Sequence, residues 1–102
     1  MQTRDYLERL IRQIAEALLA VAGFTAQKKY DEAEQTLDGA WSNLGLRRRD
    51  VARLDDATIA ALLGAKKSYG AQLLEAEADV AAARGDLPRA AALRARAATL
   101  RG

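Results

Sequence analysis

The chain has no cysteine and no histidine. Disulfides, thiolate nucleophiles, Cys/His zinc sites and imidazole general bases are therefore excluded. Proline occurs once, at Pro88, and there are only five aromatic residues: Tyr6, Phe24, Tyr30, Trp41 and Tyr69. Valine and isoleucine together number six, too few to build a sheet. No apolar run approaches the length of a membrane span. Arg4, Asp5, Glu8 and Arg9 interrupt the opening segment, so no cleaved leader is expected and a cytoplasmic location is. Sixteen basic against 14 acidic residues leave a net charge of +2, which by itself is not the balance of a nucleic-acid-binding protein.

What is abundant is alanine. Half of the 102 residues are apolar, and 24 of them are alanine. Alanine favours helix and buries little area, so this length and composition predict one all-α domain with close-packed helices and a shallow core.

Apolar spacing places the helices. From residue 3 to about 22, Leu7, Ile11, Ile14, Leu18 and Val21 step by four and three, with Thr3 as N-cap. The helix is expected to end at Gly23 or one turn later. Lys28 and Lys29 make the turn, and a second helix follows from Tyr30 to Leu44, with Asp31, Glu32 and Glu34 at its positive end. Its inward face is Tyr30, Ala33, Leu37, Ala40, Trp41 and Leu44, and Gly45 stops it. Residues 46–55 are less regular, with one helical turn around Val51 and Leu54. A short helix from Ala57 to Leu63 is capped by Asp55 or Asp56. The fourth helix, ending at Arg84, carries the stripe Tyr69, Leu73, Ala76, Val80 and Ala83 and is weakened near its start by Gly70. Gly85, Asp86 and Pro88 then form a stop-and-start signal. A last helix runs from Leu87 to Arg101, with Leu87, Ala90, Leu93, Ala97 and Leu100 inward.

Two segments echo each other. Tyr30-x-x-Ala33-x-x-x-Leu37-x-x-Ala40 aligns with Leu87-x-x-Ala90-x-x-x-Arg94-x-x-Ala97, an offset of 57 residues where tetratricopeptide (TPR) arrays show about 34. The turn Gly85-Asp86-Leu87, followed by small Ala90 and Ala97 and preceded by Leu74, Ala78 and Ala81, resembles the TPR hairpin. The first copy departs from it: Lys28 stands at the turn glycine, Val21 at the small residue of the leading helix, and no proline follows. With the opening Asp5-Tyr6-Leu7-x-Arg9-x-Ile11, the Tyr30-Asp31-Glu32-Ala33 turn and the short Leu54-to-Leu63 helix, the chain resembles an uncharacterised family of small bacterial TPR-like helical proteins. That resemblance implies a helical fold and no known activity.

Candidate chemistry is sparse. Glu75, Glu77 and Asp79 are the best metal candidates, but no histidine completes a di-iron pattern, and a solvated face with Arg84 nearby is the simpler reading. Arg47, Arg48, Arg49 and Arg53 could meet phosphate, yet Asp50, Asp55 and Asp56 adjoin them and no aromatic interleaves. Arg89, Arg94, Arg96 and Arg101 read as solvated charges, and the four aromatics Tyr6, Tyr30, Trp41 and Tyr69 as core. Trp41 lies at a stripe edge and could protrude into an interface. No enzyme, metal or cofactor is expected.

The functional expectation is a protein-interaction or scaffolding module. The alternative is a self-assembling homodimer; nucleic-acid binding through Arg47–Arg49 ranks last. Two hairpins are fewer than a stable repeat stack needs. The first helix is also apolar over a wide arc, so Leu10, Ala17 and Leu19 should be partly exposed in a monomer. Either a second copy or the 46–64 insert would cover them.

Overall fold

The computed structural model describes residues 2–102, with side chains from Arg4 onward. Six α-helices follow in order: α1 (Gln2–Ala26), α2 (Tyr30–Asn43), α3 (Arg48–Arg53), α4 (Asp56–Leu63), α5 (Lys67–Ala83) and α6 (Leu87–Arg101). A tight helical turn, Gly64–Lys66, leads into α5. No strand occurs among the described residues. The helical period of the apolar positions is thus expressed throughout.

Helix α1 pairs with α2, and α5 with α6; α5 also packs on both α1 and α2. This central position explains its sequence. Ala71, Leu73, Leu74, Ala78, Val80 and Ala81 bury several sides of the helix, as a core helix must. Ala90 and Ala97 are fully buried in α6, where small side chains let the helices approach closely. Leu93 and Leu100 complete that face, while Leu87 is exposed, against expectation, because it lies at the helix's first residue.

Helix α1 extends through Gly23 to Ala26. Thr3 lies inside it rather than at its cap, and the Thr3 side chain is outside the described residues. The end is set by Lys28, which adopts a left-handed φ of 61°. The Lys29 N–H then donates to the Phe24 carbonyl at 2.8 Å, closing the helix end.

The core-facing ridge of α1 is Leu10, Ile14 and Val21, with Ala17, Leu18 and Phe24 at its margins. Leu7 and Ile11, expected inward, face solvent instead. Direction explains Ile11: Leu10, Ile14 and Val21 lie within about 40° of one another around the helix, and Ile11 is turned about 100° from Leu10. At about 1.5 Å per residue, 25-residue α1 is about 37 Å long and 14-residue α2 about 21 Å. Antiparallel α2 is thus much the shorter helix, and Leu7, one turn before the buried Leu10, lies where the core of α1 ends.

The insert (residues 46–64) packs on α2, α5 and α6, burying Val51, Ile59 and Leu63. It does not cover the α1 arc. Asp55 caps α4: its carboxylate accepts the Thr58 N–H at 2.7 Å. The Thr58 hydrogen bonds hold the Asp55 carboxyl below its ordinary pKa. Arg96 fastens the insert to α6. Its guanidinium donates to Asp56 at 2.7 Å and to the carbonyls of Leu54 and Val51 at 2.7 and 3.1 Å. Those carbonyls end α3, so the cation also meets the negative end of that helix. Arg96 is therefore not the solvated charge its sequence setting suggested.

Candidate functional site

Two surfaces draw together the residues singled out from the sequence. The first is a charge network where the hairpins and the insert meet. Glu77 is only 6 % exposed, although it was expected on a solvated face. Its Oε2 accepts from Arg89 at 2.6 Å and lies 3.2 Å from an Arg48 guanidinium nitrogen. Arg48 also contacts Glu34 and Asp38, each at 2.6 Å, and Arg84 reaches Glu34 at 3.4 Å. Burial works against the Arg48 charge, but Asp38, Glu77 and Glu34 outweigh it and hold its pKa above the ordinary value.

The other candidate metal ligands point elsewhere. Glu75 pairs with Arg101, and Asp79 with Arg94 at 3.2 Å. A two-residue step along a helix turns side chains by about 200°, so Glu77 cannot converge with its neighbours. Among the described residues no group of three metal-ligating side chains comes together. The burial of Glu77 had a sequence signal. Gly70, Leu74, Glu77 and Ala81 step by four, three and four, on a stripe that proves to be buried.

The arginine run is divided. Arg48 is turned inward, while Arg47, Arg49 and Arg53 remain exposed. With Asp38, Ser42, Glu77 and Arg89, the residues Arg47, Arg48 and Arg49 border a cavity of about 490 Å³ that carries four arginines against two carboxylates. Chemically this arrangement fastens helices together through arginine–carboxylate pairs.

The second surface is the outer side of α1 and its groove against α5. The groove, about 520 Å³, has Leu18, Val21, Ala22 and Ala76 as its apolar floor and Glu75 and Asp79 on its rim. Toward the N-terminus the apolar surface continues through Ile11, 50 % exposed, and Leu7, 42 % exposed, with Tyr6 nearby at 47 %. Tyr6 is thus not a core residue. Of the four residues expected at an interface, Leu19 is 75 % exposed and Ala17 partly so. Leu10 and Trp41 are buried.

Trp41 is held inside because Gly70 leaves room for it. A Cβ on Gly70 would fall 2.6 Å from Leu63 Cδ1 and 3.3 Å from the Trp41 ring. The glycine that weakened the helical pattern is thus a packing site. Among the described residues the Trp41 Nε1 finds no hydrogen-bond partner, a polar cost accepted for the ring's burial. Tyr30 joins the two hairpin turns. Its hydroxyl donates to the Ala83 carbonyl at 3.3 Å, and the Arg84 guanidinium lies 5.4 Å above its ring.

Comparison with family models, with curated proteins and with solved structures gives no match. No helix among the described residues is long and apolar enough to cross a membrane.

Proposed function

We propose that the chain is a non-catalytic interaction module of TPR-like type, with the α1–α5 groove as its docking face. The observation that carries this reading is the order of packing. Helix α5 lies against both α1 and α2, while α6 backs α5, as consecutive hairpins of a repeat stack do. The two leading helices then form one open face with an apolar floor and an acidic rim. Such a face suits an amphipathic segment with basic borders. The non-catalytic part rests on chemistry. Cysteine and histidine are lacking, and the most buried carboxylate is held by two arginines.

A homodimer is the second reading, favoured by the exposed Tyr6, Leu7 and Ile11 of α1. Nucleic-acid binding ranks last, because Arg48 is held by three carboxylates. Site-specific photocrosslinking in the native cell tests the groove. A photoreactive residue at Ala22 or Ala76 should give discrete adducts, and one at Ala91 on the outer side of α6 should give none. Equal labelling at all three positions, or none at the groove, rejects the reading.

A further inference from the structure

The outer face of the first half of α1 carries a pattern that specifies its own partner. Leu7, Ile11, Ala15 and Leu19 follow at four-residue steps and are all exposed, forming one apolar ridge. On one side of it runs the core-facing ridge of Leu10 and Ile14. On the other side runs a second four-step ridge, Arg4, Glu8, Arg12 and Glu16, also exposed. Its charges alternate: plus, minus, plus, minus. Such a ridge cannot face itself in parallel register, where every charge meets its like. Antiparallel, it is complementary to itself.

We infer that α1 pairs with α1 of a second copy, antiparallel about a two-fold axis near residue 10, within the interaction-module reading above. When two antiparallel helices pair across a two-fold axis, the same flank of each meets the other. In this register Arg4 faces Glu16 of the partner subunit, and Glu8 faces Arg12 of the partner subunit. The same register offsets the apolar ridges by two residues. Leu7 and Ile11 then alternate along the seam with Ile11 and Leu7 of the partner subunit, knobs filling the gaps between knobs. Independent features thus select one arrangement: the alternating charge ridge fixes direction and register, and the apolar ridge supplies buried area. The Arg4–Glu8 contact within one chain, 3.8 Å between exposed side chains, is loose enough to be exchanged for these pairs. The insert, on the far helices, leaves the seam open.

Sedimentation equilibrium of the full chain from micromolar to millimolar concentration reads this directly. The wild type should approach the mass of two chains. Ile11→Glu should give one chain with unchanged circular dichroism, since Ile11 is not part of the core. Glu8→Arg and Arg12→Glu should each weaken self-association, by about tenfold, because each turns two symmetry-related attractions into repulsions. Mixing these two variants is the decisive step. One chain then presents Arg at both 8 and 12 and the other Glu at both, so a mixed dimer should be restored to wild-type strength. A wild type that stays at one chain mass, or a mixture no stronger than its components, overturns the pairing. Either result leaves the α1–α5 groove to the photocrosslinking test, so the two readings fail separately.

Discussion

The two hairpin turns have nearly the same backbone and opposite chemistry. Before α2, Lys29 sits at φ −93° and ψ 70°; before α6, Asp86 sits at −91° and 74°. The preceding residue is left-handed in both, Lys28 at 61° and Gly85 at 87°. In both turns the capping N–H reaches back five residues, Lys29 to Phe24 at 2.8 Å and Asp86 to Ala81 at 2.9 Å. In the second turn every residue suits its place. Gly85 carries no Cβ penalty, the Asp86 carboxylate accepts the Arg89 N–H at 3.2 Å, and Pro88 occupies the first helical turn. The first turn places a lysine at the left-handed position and another at a cap whose side chain makes no capping bond. Packing must therefore hold the first turn, whereas local chemistry alone favours the second. Backbone form can repeat where sequence signals do not.

The largest break in this comparison comes from packing. Leu37→Ala should empty a fully buried site of the first hairpin and cost about 2–5 kcal/mol, read from denaturant unfolding. In the second hairpin the vulnerable direction is the reverse. Ala90→Leu or Ala97→Leu should force extra volume into a close crossing and cost about 1–3 kcal/mol in the same measurement. If neither alanine variant lowers the midpoint, the crossing is not close-packed.

Turn substitutions should have opposite signs. Gly85→Ala places a Cβ in a left-handed residue and should cost about 1–2 kcal/mol. Lys28→Gly relieves that penalty in the first turn and should raise stability by about 0.5–1 kcal/mol. Melting temperatures that move in the same direction for both would contradict the parallel between the turns. The smallest effect is local. The folded Asp55 carboxyl has a lowered pKa, so its contribution is present above the unfolded value and is lost as pH falls through the folded one. Amide protection at Thr58 and Ile59 should therefore fall below about pH 4, and in Asp55→Asn this acid step should be absent.

Much of this fold can be read from spacing alone: the starts of α2 and α6, the ends at Gly64 and Gly85, and the buried Ala90 and Ala97. These are local properties, set by residues within a turn of each other. The face of α1 was not legible in this way. Leu7 and Ile11 have the right period, but which apolar ridge turns inward depends on how α2 and α5 sit against α1, and that is a long-range fact. Trp41 illustrates the same limit. Its burial depends on Gly70, 29 residues away, which looks like a helix breaker until the ring is seen beside it. Charged residues misled most, because Glu77, Arg48 and Arg96 are drawn in by partners on other helices. Only the buried company of Glu77 and Arg96 on their own stripes hinted at this, Gly70, Leu74 and Ala81 for the first and Leu93 and Leu100 for the second.

Repeat stacks usually unravel one unit at a time, since each unit touches only its neighbours. The Arg96 clasp changes that arithmetic. One guanidinium on α6 closes a loop of some forty residues onto the end of α3 and the first turn of α4. The last helix therefore cannot fray alone: loosening it releases the insert, which buries its own Val51 and Ile59 against the other helices. Amides of α3, α4 and α6 should exchange with a common opening free energy, as one cooperative block. Arg96→Lys should split that block, leaving α3 and α4 to open on their own while α6 keeps its protection.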